Sequence, residues 1–266
     1  MSIFSCRSLA AIALALTGAG AHAATVMELK LPGQSAATMS VAGQQARLDM
    51  ETGRYLLIDA ARGRYYAVDE NAQIILDMAW VPEQAPDLPR ETRRRQTVQP
   101  ELREMGPGPE IAGYPTRHYR LLANGRHCQD SYFSAEAMAE GDLVAFQLGF
   151  HQLSTRQRAG YESLGVEFEP CELADQLTGE QQARLGLKMR TEGPQGRLRQ
   201  EITALQLNQN LPEGHFQVPR GYTMSNPAEQ ARAQRTQPGV NLDELDGGRQ
   251  QRLEDARRQG REMLRR

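Results

Sequence analysis

The sequence predicts a mainly β fold with helices, and three observations carry that prediction. Between Val26 and Met78, short segments of alternating polarity are separated by turn signals roughly every ten residues, the pattern of a meander that curls into a sandwich or barrel. Asn124-Gly125 sits between two further alternating segments, and a type I′ hairpin needs positive φ at both of its central residues. The stretch after Ser134 is apolar on one side, with Leu143, Phe146, Phe150 and Leu153 at i, i+3, i+7 and i+10. A broad apolar helix attached to a β-meander should lie across a sheet or inside it.

Met1 to Ala23 reads as a signal peptide. Arg7 gives the positive n-region, Ser8 to Ala21 the apolar region, and Ala21-His22-Ala23 a cleavage site with small outer residues. The mature chain is expected to begin near Ala24, in the periplasm and soluble after export. No later run approaches the ~18 consecutive apolar residues of a membrane span.

Without residues 1–23, the 31 basic and 33 acidic residues become 30 and 33, a net charge of −3 that gives no case for nucleic acid. Two cysteines remain, Cys128 and Cys171, and an even pair in an exported chain reads as a disulfide. The alternative is a metal site with His127 or His118, but the Cys-Cys spacing matches no zinc pattern, so neither metal nor cofactor is expected.

In chain order, VMELKL places Met27, Leu29 and Leu31 on one face, and ARLDM does the same for Ala46, Leu48 and Met50. RYLLIDA, RYYAVD and QIILDM follow across Gly53 and Gly63, with Tyr55, Tyr65 and Tyr66 read as sheet-packing residues. Residues 82–98 are proline-rich and then basic at Arg93, Arg94 and Arg95, as in a solvated loop. Ser134 stands where a helix N-cap would stand, with Glu136 in the first turn behind it. Residues 154–168 read either as a second helix or as a turn returning to Cys171.

RLGLKMRT puts Leu185, Leu187 and Met189 on one strand face. RLRQEITALQLN changes phase between Ile202 and Leu205, which predicts a β-bulge. The domain is expected to span 24–224. Residues 225–266, charged and poor in apolar side chains, read as a disordered or partly helical tail able to contact another envelope protein.

No catalytic pattern emerges. His127, Asp130 and Ser131 supply triad letters, but neighbours on a strand alternate faces. There is no HExxH, GxSxG, P-loop or dinucleotide fingerprint, so an enzyme is not expected. A curved sheet under an apolar helix instead makes a concave apolar site.

An exported chain with MELKLPG, ARLDM, YYAVD, HCQDSYF leading to an apolar helix, and a closing HFQVPRGY resembles the outer-membrane lipoprotein-sorting superfamily of LolA, LolB and LppX carriers, over roughly Val26 to Tyr222. The resemblance implies a curved, unclosed antiparallel β-barrel covered by one or two helices around a cavity for a lipid, acyl chain or lipoprotein. It implies that Leu143, Phe146, Phe150 and Leu153 form a lid or line the cavity, and that Arg47 is the counterpart of the carriers' lid latch. The disulfide pair, the proline-rich insert and the tail depart from the minimal carrier pattern.

Overall fold

The structure, a computed structural model, describes residues 23–33, 36–50, 53–80, 97–163, 167–226 and 229. The expected signal peptide, the Arg93–Arg95 loop and the tail beyond residue 229 lie outside the described residues.

The chain opens with a six-stranded antiparallel meander: β1 (Ala24–Lys30), β2 (Ala37–Ala42), β3 (Gln45–Met50), β4 (Arg54–Asp59), β5 (Arg64–Asp69) and β6 (Ile74–Asp77). Then come β7 (Pro100–Pro107), β8 (Arg117–Ala123) and β9 (Arg126–Ser134). Four helices follow, α1 (Ala135–Glu140), α2 (Val144–Ser163), α3 (Pro170–Leu177) and α4 (Gly179–Leu185). β10 (Leu187–Glu192), β11 (Leu198–Gln209) and β12 (Thr223–Ser225) complete the order.

Among the described residues, the twelve strands belong to one sheet, in the order β12-β6-β5-β4-β3-β2-β1-β11-β10-β9-β8-β7. The ends, β12 and β7, do not pair, so the sheet is an open, curved half-barrel rather than a closed one. Among the described strands, only β12, beside β6, is parallel to its neighbour.

The helices cover the inner face. Met27, Leu29, Ala37, Val41, Ala46 and Ile58 point inward and pack with Leu143, Phe146 and Leu153 in one buried cluster. The outer face of β4 to β6 is apolar as well. Tyr55, Leu57, Val68 and Ile75 are buried there, with Val218 and Tyr222 of the closing segment packed on them. Burial on both faces explains why RYLLIDA reads as an apolar run rather than a strict alternation.

The hairpin turn forms as expected, with φ 52° at Asn124 and 78° at Gly125. The predicted bulge in β11 falls at Thr203, because Glu28 pairs with Ala204 and Leu29 with Ile202. Ser134 caps α1, its Oγ accepting from the Ala137 N–H at 3.2 Å.

Two expectations change. Residues 154–163 neither turn nor start a second helix but continue α2, whose Gln157 side chain donates to the Met78 carbonyl. Leu185 does not share a strand face with Leu187 and Met189. It ends α4, and Gly186, at φ 133°, turns the chain into β10. A Cβ at Gly186 would stand 2.4 Å from the Ser134 backbone, so only glycine permits this approach.

Candidate functional site: a small cavity between helix and sheet

Leu143 immediately precedes α2, and its carbonyl accepts from the Gln147 N–H at 3.0 Å. This places Leu143 and Phe146 as a roof over the middle of the sheet. Met27, Leu29, Met39, Leu187 and Ile202 form the floor, and between them lies a partly open cavity of about 100 Å³. Gln147, Lys188 and Gln200 complete its lining. These are the polar side chains of the site, and they come from three different elements, α2, β10 and β11.

The expected lid residues divide. Leu143 and Phe146 are buried and line the cavity. Leu153 is buried in the same apolar cluster but does not line it. Phe150 is partly buried further along the helix, stacked on Phe146 with centroids 5.9 Å apart and edge-on to Tyr65 at 6.2 Å. Gly149 lets α2 approach the strand turns, since a Cβ there would lie 2.9 Å from that of Ala60.

Arg47 lies elsewhere. On β3 it alternates with the inward Ala46 and Leu48, so it projects from the outer face. Its guanidinium sits 3.7 Å over the Tyr55 ring and pairs with Asp49, with Nη2 2.7 Å from Oδ1. It also reaches the His215 carbonyl at 3.5 Å. Arg47 therefore engages the closing segment on the face opposite α2.

Behind the polar side of the cavity, Asp175 of α3 gathers three donors on Oδ1: Gln129 Nε2 at 2.8 Å, Gln182 Nε2 at 2.9 Å and Lys188 Nζ at 3.2 Å. Burial pushes its carboxyl up, but the Lys188 charge and these hydrogen bonds outweigh that and hold it below the usual range. The Cys128–Cys171 disulfide forms as expected, with Cα atoms 5.3 Å apart, and ties α3 to β9. Arg126 donates to Cys171 Sγ at 3.4 Å.

Sequence reasoning did not single out Gln147, Lys188 or Gln200. Gln200 shares its strand parity with the buried Ile202, and that polar position on an inward face was the available signal. Lys188 has the opposite parity to Leu187 and Met189, and only the register slip at Met189 brings it to the cavity, so alternation gave no signal for it.

The triad letters do not converge. Asp130 faces outward with Arg120 Nε and His118 Nε2, each 2.9 Å from its Oδ1. His127 Nε2 is also 2.9 Å from Oδ2, but out of line for a hydrogen bond. Burial raises the Asp130 carboxyl, while hydrogen bonds from Arg120 and His118 lower it further, to below the usual range. Ser131 is buried on the opposite face, and its Oγ has no hydrogen-bond partner. Among the described residues, no helix is long and apolar enough to cross a membrane.

No family model matches the chain, and no curated protein matches it. Among solved structures it is similar to PNGF-II in a C2 crystal form, at 13% identity and TM-score 0.39, over 79% of this chain and 32% of that one. It is similar to MucB at 11% identity and TM-score 0.33, over 76% of this chain and 60% of that one. The MucA/MucB complex of Pseudomonas aeruginosa gives 11% identity and TM-score 0.33, over 74% and 56% of the two chains. The chain thus spans about a third of PNGF-II and less than two thirds of MucB.

Proposed function

We propose that this chain is a non-enzymatic periplasmic binding protein that takes the apolar part of a lipid, acyl chain or lipoprotein between α2 and the sheet. The reading places it among relatives of the lipoprotein-sorting carriers. The observation that supports it is the cavity: an apolar floor and roof with polar side chains confined to Gln147, Lys188 and Gln200. Such sites suit ligands with an apolar body and one polar end.

Size sets the condition for binding. Pockets for drug-sized ligands run ~300–1,000 Å³, and a cavity of ~150 Å³ holds benzene. The cavity of about 100 Å³ is smaller than either, so a long chain enters only if the Leu143–Phe146 roof lifts. Lifting exposes two side chains whose burial is worth roughly 1.5–3 kcal/mol each.

The same packing favours a second reading, an envelope scaffold or regulator that contacts another protein and in which α2 is permanent core. A fluorescent fatty acid titrated into the full-length protein separates the two. Saturable binding that is lost in Phe146→Gln, with the fold retained by circular dichroism, supports the binding protein. Absence of saturable binding by the wild-type protein favours the scaffold.

A further inference from the structure

The chemistry of the cavity wall goes further than an apolar binding site. Its polar groups can supply donors: the Lys188 ammonium and, beside their carbonyl oxygens, the amide NH₂ groups of Gln147 and Gln200. Among the described residues, no carboxylate lines it. Lys188 has a counter-ion in Asp175, and that carboxylate also holds two amide donors of its own. Gln129 and Gln182 donate to Asp175 Oδ1 at 2.8 and 2.9 Å, whereas Lys188 Nζ stands at 3.2 Å. A charge-assisted N–H···O bond is ordinarily about 2.7–2.9 Å, so the lysine is the loosest of the three.

The amides are also fixed by other partners. Gln182 donates to Thr178 Oγ1 at 2.7 Å, and Gln129 accepts from Arg199 at 3.4 Å. If Lys188 turned away, the carboxylate would keep two donors. Lys188 is partly exposed, with 25% of its side chain open, its Nζ stands 5.9 Å from the Phe133 ring centroid, and it lies next to the extra residue Met189, where β10 slips register against β9.

We infer that Lys188 is a head-group reader, and that the cavity takes a single-chain amphiphile ending in an oxyanion, a carboxylate or a phosphate. The inference rests on the binding reading above and specifies its ligand class. On binding, the ammonium leaves Asp175 for the oxyanion, the amides of Gln147 and Gln200 donate to its remaining oxygens, and the alkyl chain lies under Phe146.

The test uses the full-length protein and four probes of equal chain length below their micelle concentrations: dodecanoate, dodecyl phosphate, dodecanol and dodecyltrimethylammonium. Calorimetric titration should show the two anions binding at least ~10-fold more tightly than the alcohol, and the cation weakest. Whichever anion is tighter identifies the carboxylate or the phosphate source. Lys188→Gln should bring the anions to within ~3-fold of the alcohol and leave the alcohol unchanged. Asp175→Asn, which removes the competing counter-ion, should tighten the anions by ~3-fold or more without tightening the alcohol. A purely structural pair would instead weaken every probe in both variants. Alcohol binding with no anion preference, or anion binding indifferent to Lys188→Gln, overturns the head-group inference and leaves the binding reading standing. Failure of all four probes on the wild type overturns both.

Discussion

The two halves of the sheet are built differently. From β1–β2 to β5–β6 the register runs without a shift. From β1–β11 to β7–β8, every pairing contains at least one, and β1–β11 contains two. Tight hairpins fix register in the first half, and alternation there converts directly into an inner and an outer face. In the second half each extra residue bends its strand and re-aims its neighbours. Cys128 is one such residue, between the Gln129 and His127 pairings, and Met189 beside Lys188 is another. The regular half thus supplies Met27, Leu29 and Met39 of the floor, and the bulged half supplies Leu187 and Ile202, the β9 end of the disulfide and the strand-borne polar side chains Lys188 and Gln200.

The sharpest test of this division is the side chain that links the halves. Phe146 packs in one cluster with Met27 and Ala46 of the regular half and with Leu187 and Ile202 of the bulged half. Phe146→Ala should cost about 3–5 kcal/mol in urea unfolding, with one transition by both fluorescence and circular dichroism. Two separated transitions would mean that the halves unfold independently.

The next effect belongs to the bulged half alone. Replacing Cys128 and Cys171 together by serine releases a loop closed across 43 residues and should cost roughly 2–4 kcal/mol. Hydrogen exchange should then rise in α3 and β8 while β3 to β5 stay protected. Uniform loss of protection would contradict a local role for the bond.

A smaller loss is expected at the junction of β9 and α1. Ser134→Ala leaves the Ala137 N–H without its cap and should lower stability by about 1 kcal/mol, read from the denaturant midpoint.

The smallest effect is acid sensitivity, and it touches both halves. Asp59 in the regular half and Asp175 in the bulged half are both held below the ordinary value of 3.8. Burial opposes this in each case. Arg62 and the Gln45 side chain prevail at Asp59, and Lys188 with two amides prevails at Asp175. A lowered folded value means that the unfolded chain binds more protons. The stabilisation is therefore full well above pH 3.8 and is lost as pH falls below it. Asp175→Asn should flatten that decline in urea midpoints between about pH 5 and 2, and an unchanged slope would remove Asp175 from the account.

Legibility in the sequence follows the same division. The meander strands, the Asn124-Gly125 turn and the Ser134 cap were readable because each rests on local chemistry. Leu143 and Phe146 were readable as an apolar stripe, but the helix was followed only to Leu153, since STRQRAGYES carries almost no apolar pattern. α3 and α4, of eight and seven residues, are too short for a decisive period, and Leu185 was drawn into the neighbouring strand. The three residues of β12 gave no signal at all. Arg47 could be assigned to a strand face from its parity, but which face lies under the helix depends on contacts made across the whole chain. Lys188 was hidden for the same reason, because its meaning comes from Asp175 on a different element.

The pairing of β1 with β11 also governs timing. Thr203 donates from its side chain to the Glu28 carbonyl, 175 residues away along the chain. As synthesis proceeds from the N-terminus, the six-stranded meander can assemble long before its outer neighbour exists. Until β11 arrives, β1 is a bare edge carrying Glu28 and Lys30, charges of the kind that discourage wrong strand partners. Joining the halves is then the late, slow event, because so distant a contact must bear the entropy of closing nearly the whole domain into a loop. The cavity, lined by Met27 and Leu29 of β1 and by Gln200 and Ile202 of β11, can come into being only once those two strands have met.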